Sequence, residues 1–214
     1  MKKELIVYVE ELVGRYPSLK DSEQDICRAY RILEESYSAQ GKLLVCGNGG
    51  SAADSEHIVG ELMKGFCLPR ALNPTLKQAL LQVDTAYGGK LADKLQGALP
   101  AIALTGHSAL STAYLNDVDG LLCYAQQVMG YGSTGDVFLG ISTSGNSKNV
   151  LYAAVTAKAK GLKVIGLTGK SGGALADYAD VCIRAGASET YQIQELHLPI
   201  YHCLCLMLEK KFFE

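Results

Sequence analysis

"DVFLGISTSGNSKNVLYAAVTAKAKGLKVIGLTG" occupies residues 136–169, and its reading decides the fold. The runs DVFLGIS (136–142) and KVIGLTG (163–169) are apolar without polar alternation, the mark of strands buried on both faces of a parallel sheet. Between them, NSKNVLYAAVTAKAKG (146–161) has a polar start, an alanine-rich body and a terminal glycine, which is a helix with its stop signal. Strand, helix and strand in succession make an α/β unit.

Working outward, KLLVCG (42–47), PAIALTG (100–106) and DVCIRAG (180–186) repeat the same strand signature, each beside a turn signal. Residues 3–38 carry two amphipathic helical stretches, divided near RYPSLKDS by Pro17, with an N-cap expected at Asp21 or Ser22. With no strand of their own to cover, they are expected to dock onto a neighbouring subunit. A final helix spans ETYQIQELHLPIYHCLCLMLEKKFF (189–213), where Pro199 should kink it or mark its true first turn. Residues 1–38 are read as part of one domain with residues 39–214.

At 214 residues with 48% hydrophobic content, the chain can bury a sizeable core. A formal net charge of −2 with no basic stripe gives no footprint for nucleic acid or acidic membranes. Charges interrupt the N-terminal apolar residues and no cleavage site follows, so no signal peptide is read, and no run reaches the length of a membrane span. The seven cysteines include no C-x-x-C and lie mostly in apolar segments, pointing to reduced thiols in a cytoplasmic protein.

Two loops follow predicted strands: CGNGGSAADS after the first and ISTSGNSKN after the third. In an open parallel sheet, ligands sit beyond the carboxyl ends of strands, where loops lead into helix N-termini. The second loop offers hydroxyls at Ser142, Thr143, Ser144 and Ser147, an amide at Asn146, and Gly145 for a tight turn. Hydroxyl donors with the positive end of a helix suit a phosphate, although hydroxyls at such a place also serve as simple N-caps. The loop has no G-K-[ST], and GNGGS does not match G-x-G-x-x-G, so a small phosphate ester is favoured over a nucleotide.

In SAADSEHIVGELM (51–63), His57 and Glu61 are four residues apart and share one face if the stretch is helical. Alone, that is an ordinary surface pair. His107 reads as a loop or cap residue and His197 as an interface histidine. His202, in an apolar stretch, would by itself be a core residue.

Together, CGNGGSAADSEHIVGEL, NDVDG, GISTSGNSKNV, VIGLTGKSGG and IQELHLPIYH resemble the SIS (sugar isomerase) family, and within it the heptose isomerases, over roughly residues 40–210. The resemblance implies a three-layer αβα sandwich with a five-stranded parallel sheet of flavodoxin-like type, a homotetramer, and sites at subunit boundaries. It implies aldose–ketose isomerisation of a sugar phosphate, with sedoheptulose 7-phosphate as substrate and D-glycero-D-manno-heptose 7-phosphate as product. By matching motif, Asn48, Gly49, Gly50 and Ser51 would line the sugar phosphate site, with Asn116 and Asp117 reaching hydroxyls and Ser142, Thr143, Ser144 and Ser147 holding the phosphate. Glu61 and His202 match the catalytic base and acid, Gln194 a substrate contact, and His57, Glu61, Gln194 and His202 the ligands of zinc in members that bind it. Two departures stand out: residues 67–99 are longer than in compact members and are expected to cap the sugar pocket, and Tyr191 replaces an aspartate found in some members.

Moving a proton between C1 and C2 through an enediol requires one base and one acid, and a carboxylate and an imidazole suffice. Gln194 and His202, however, are eight positions apart, about 12 Å and 80° on a straight helix. A kink at Pro199 or a site shared between subunits would resolve this, and the shared site is the expectation. The competing readings are a non-catalytic SIS protein that binds a sugar phosphate or another protein, such as a replication initiator, and an isomerase of another sugar phosphate; the presence of both Glu61 and His202 favours an enzyme.

Overall fold

The computed structural model describes residues 3–214. In chain order the elements are α1 (Lys3–Arg15), α2 (Glu23–Ser38), β1 (Leu43–Cys46), α3 (Gly50–Met63), α4 (Pro74–Val83), α5 (Thr85–Lys94), β2 (Ala101–Ala103), α6 (Ser108–Asp117), α7 (Cys123–Tyr131), β3 (Val137–Ser142), α8 (Lys148–Ala159), β4 (Lys163–Thr168), α9 (Leu175–Tyr178), β5 (Val181–Arg184) and α10 (Thr190–Phe213). Every expected strand is present. They form one parallel sheet in the order β2-β1-β3-β4-β5, with Leu43 opposite both Ala101 and Val137, Val137 opposite Lys163, and Ile165 opposite Val181.

The missing polar alternation has its cause in two cores, one on each face of the sheet. Leu43, Val45, Leu139, Ile141, Ile165 and Ile183 point to the face covered by α1, α2, α3 and α10. Leu44, Cys46, Phe138 and Val164 point to the other, against Val128 of α7, Ala153, Ala154 and Ala157 of α8 and Leu175 of α9. The result is the three-layer αβα sandwich.

The N-terminal helices correct one premise, that they have no sheet of their own. They cover the sheet of their own chain: Leu5, Val9, Ile26, Ala29, Tyr30 and Leu33 are buried in the first core, and α2 packs on β5. The sequence offers no strand beside them because β5 arrives about 140 positions later. Ser22 stands at the N-cap of α2, but its hydroxyl donates to Arg184 O (2.5 Å) at the end of β5 instead of capping the helix. Pro199 lies well inside α10, which begins at Thr190, so it does not mark the first turn.

His197 is likewise not an interface residue. It is fully buried within its own chain, with Nε2 3.3 Å from Thr168 O and Nδ1 without a partner. Burial lowers its pKa to about 4. The folded protein therefore disfavours a proton that the unfolded chain accepts near pH 6.5, and stability present above that pH is lost as pH falls toward 4, by an amount on the order of 3 kcal/mol. Thermal midpoints at pH 7 and pH 5 should fall further for the wild type than for His197→Gln.

Residues 67–99 form a helical hairpin. α4 and α5 pack on each other, and Gly88 is the one buried position in either helix. Asn73 and Asp84 cap the two helices by accepting from Leu76 N and Tyr87 N. The hairpin's base is closed by an Ala71–Gln96 bridge and by Gly97 N donating to Arg70 O (2.7 Å), while Gln96 Oε1 accepts from Gly65 N (2.7 Å) just beyond α3. Its root reaches the helix that carries His57 and Glu61 through Arg70, which donates to Leu62 O (2.7 Å) and Glu61 O (2.9 Å).

Candidate functional site

The strand order reverses direction between β1 and β3, and at such a switch point the loops beyond the strand ends part to leave a crevice. The loop after β1 leads into α3 and the loop after β3 into α8. Gly49 opens α3 at φ +56°, ψ −120°, a conformation that a side chain would oppose. Asn48 of the first loop and Asn149 in the first turn of α8 form a reciprocal amide pair, 2.9 and 2.8 Å. The buried Ser51 begins the first turn of α3, its carbonyl accepting from Ser55 Oγ.

In the second loop, Ser142 ends β3 buried, and its hydroxyl lies 3.0 Å from that of Ser147. Ser147 holds the N-cap position of α8 but makes no side-chain cap bond, so these hydroxyls are not spent on capping. Ser144 Oγ accepts from Asn146 N (3.1 Å), and Asn146 Oδ1 accepts from Ala174 N (3.0 Å), tying the loop to the following crossover. Gly145 sits at φ +68°, and a Cβ there would come within 2.0 Å of Gly172 O. Gly145→Ala should therefore displace the loop and raise the KM for a sugar phosphate by about tenfold or more, equivalent to about 1.4 kcal/mol, with a smaller change in kcat. Steady-state kinetics separate the two.

Helices α3 and α10 run side by side in the same direction. Gln194 lies over Gly50, where an added Cβ would be 2.6 Å from its Nε2; Tyr201 and His202 meet Asp54 and His57; Glu209 meets the residues after α3. The spacing of Gln194 and His202 is thus matched by the length of α3, and one chain brings His57, Glu61 and His202 together without a second subunit. His57 Nε2 is 3.2 Å from Glu61 Oε1, and the His57 and His202 rings are 5.0 Å apart and edge-on. Gln194 packs at the Gly50 end of α3, about two helical turns from His57, while His57 itself contacts both Glu61 and the His202 ring. Among the described residues, no three His, Cys, Asp or Glu side chains are already drawn into a metal shell.

The electrostatics follow from burial. The His202 pKa is lowered by desolvation and by His57, against the pull of Glu61, and its Nε2 is buried without a partner. Glu61, with a side chain 13% exposed, also accepts from Lys64 Nζ (3.1 Å). Asn116 and Asp117 end α6 exposed and bonded to each other (2.7 Å), and no hydrogen bond among the described residues ties them to either loop. Tyr191 is exposed, its hydroxyl accepting from Gln192. His107 takes the N-cap position of α6 without a side-chain cap bond.

Sequence reasoning missed several neighbours. Asp54 and Tyr201 carried a signal, since Asp54 precedes His57 by one helical turn and Tyr201 adjoins His202. Asn149 carried none apart from its place after the hydroxyl loop. Arg70 and Glu209, which form a buried ion pair (2.8 Å) just beyond Glu61, carried no local signal.

A family model described as SIS domain matches residues 8–87 and 79–169. The phosphoheptose isomerase of Rhodospirillum rubrum is 35% identical over 209 residues, covering 98% of this chain and 97% of the relative. That of Nitratiruptor sp. is 40% identical over 178 residues, covering 83% and 81%. The solved structure of a phosphoheptose isomerase from Francisella tularensis superposes with a TM-score of 0.72 at 31% identity, covering 98% of this chain and all of the other.

Proposed function

This chain belongs to the SIS-domain family, in its phosphoheptose isomerase branch, and from that premise we propose that Glu61 and His202 interconvert sedoheptulose 7-phosphate and D-glycero-D-manno-heptose 7-phosphate. The enzyme is an aldose–ketose isomerase acting on a sugar phosphate. The observation that carries the residue assignment is His202, its pKa lowered by burial, set against the His57–Glu61 pair on a neighbouring helix at the switch point of the sheet.

The phosphate binds the Ser142, Thr143, Ser144 and Ser147 loop, where hydroxyls and the positive end of α8 meet it. Asn48, Gly49, Gly50, Ser51 and Gln194 line the sugar, with Asn116 and Asp117 reaching its hydroxyls. Glu61 takes the proton from one of the two reacting carbons and returns it to the other. His202 moves protons on oxygen, opening the ring and protonating the enediolate. Lys64, on Glu61 Oε2, keeps one carboxylate oxygen oriented.

Zinc fits the donor set in kind: two imidazoles and a carboxylate lie together, and the His202 Nε2 is a buried nitrogen with no partner. His57, Glu61 and His202 would hold it, with Gln194 a longer reach away, and it would supply Lewis-acid stabilisation of an enediolate oxygen. We place the enzyme in the cytoplasm as a homotetramer, a reading supported by seven free cysteines and by the apolar side chains Leu76, Val83 and Tyr87 exposed on the hairpin. No helix among the described residues is long and apolar enough to cross a membrane.

The test is conversion of sedoheptulose 7-phosphate to an aldoheptose 7-phosphate, followed by NMR with and without zinc. A protein that the ligand protects against heat, yet does not convert, would favour the alternative of a non-catalytic phosphosugar-binding regulator.

A further inference from the structure

The isomerase reading uses Glu61 and His202 and leaves Asp54 and Tyr201 idle, though both stand in the site. Tyr201 is 2% exposed, packed edge-on against His57 and His202. For that packing a phenylalanine would serve. The hydroxyl instead completes a chain: Tyr201 Oη donates to Asp54 Oδ1 (3.2 Å) and lies 2.9 Å from His57 Nδ1, whose Nε2 is 3.2 Å from Glu61 Oε1.

The direction of this chain follows from counting protons. A phenol has one, and a carboxylate only accepts, so the Tyr201 proton goes to Asp54 and the phenol oxygen must accept from His57 Nδ1–H. A neutral imidazole protonated on Nδ1 carries its lone pair on Nε2. That lone pair faces the Glu61 carboxylate, and two acceptors at such a distance call for an electropositive centre beside them.

We propose that Asp54 and Tyr201 are positioning residues: they hold His57 in its Nδ1–H tautomer, with the Nε2 lone pair turned toward Glu61 and available to a proton or a divalent cation. The effect on turnover rests on the isomerase reading; the tautomer does not. Ligating histidines are commonly oriented in this way by a second hydrogen bond, and removing the orienting group costs about 10- to 100-fold in activity or metal affinity.

The experiment is long-range ¹H–¹⁵N NMR of the histidine-labelled protein, with the His57 signals identified by their loss in His57→Gln. Wild type should show a protonated Nδ1 and a lone pair on Nε2. Tyr201→Phe keeps the ring and removes the anchor, and should give a mixture of tautomers with kcat lowered about tenfold and KM within about twofold. Asp54→Asn presents an amide that can donate to the phenol, which would then donate to His57, and should move the His57 proton to Nε2. A neutral wild-type His57 with its only proton on Nε2, or a tautomer unmoved in both variants, overturns the proposal. A wild type with the expected tautomer and no turnover of any sugar phosphate leaves the positioning intact and overturns the isomerase assignment instead.

Discussion

Glu61→Gln is expected to lower turnover of the heptose phosphate by about 10²- to 10⁴-fold while leaving its binding within a few-fold. Glutamine keeps the size of the side chain and one oxygen, so Lys64 retains an acceptor and the backbone of α3 has no reason to move. What it lacks is the ability to take a proton at working pH. The hydroxyl loop proposed for the phosphate joins β3 to α8, whereas Glu61 is on α3, so ligand protection against thermal unfolding should survive. NMR of product formation and a thermal shift with sedoheptulose 7-phosphate, read on the same preparation, separate the two effects. Full turnover in the variant would remove Glu61 from the mechanism.

Arg70→Ala is expected to destabilise the fold by about 3–5 kcal/mol, because it leaves Glu209 charged and buried without its counterion. For a chain of this size that corresponds to a fall of roughly 10 °C in the thermal midpoint. The Arg70 and Glu209 side chains are 0% and 1% exposed. Arg70 donates from Nε to Glu209 Oε1 (2.8 Å) and from its two terminal nitrogens to Leu62 O (2.7 Å) and Glu61 O (2.9 Å), satisfying carbonyls that the end of α3 leaves open. Its guanidinium lies 4.5 Å from the centre of the Phe213 ring. Glu209 in turn accepts from the backbone N–H groups of Phe66, Cys67 and Leu68, and against its burial the bonds from Phe66, Cys67 and the Arg70 guanidinium hold its pKa below the usual carboxylate value. Arg70→Lys should recover only part of the loss, since one ammonium cannot reproduce the fork. Arg70→Met combined with Glu209→Leu should not restore stability either, because three backbone donors would remain unpaired. Denaturation midpoints of the four proteins test the set, and wild-type stability in Arg70→Ala would show that the pair is not what closes α3.

Much of this architecture was legible beforehand. Five strands could be read because parallel strands buried on both faces are written as uninterrupted apolar runs, and the placement of the two loops follows from where such strands end. The hydroxyls of Ser142 to Ser147 were visible as a group, but their freedom from capping was not; that depends on Ser142 and Ser147 facing each other across a turn. The sheet under the N-terminal helices was missed for a plain reason: amphipathicity says that a helix must cover something, not what, and their partner strand is supplied from the far end of the chain.

By itself the sequence determined the fold class, the positions of the two loops beyond β1 and β3 and the one-face spacing of His57 and Glu61, because each is local, set by strand and helix periodicity within a few residues. The tertiary structure decided which distant groups complete the site. Side-by-side packing of α3 and α10 set His202 against His57, separated Gln194 from them, placed Tyr201 between Asp54 and His57, and closed Arg70 on Glu209 across 139 positions of sequence. The sequence separation of these pairings does not announce them, since each arises only when α10 is laid beside α3 and the residues that follow it.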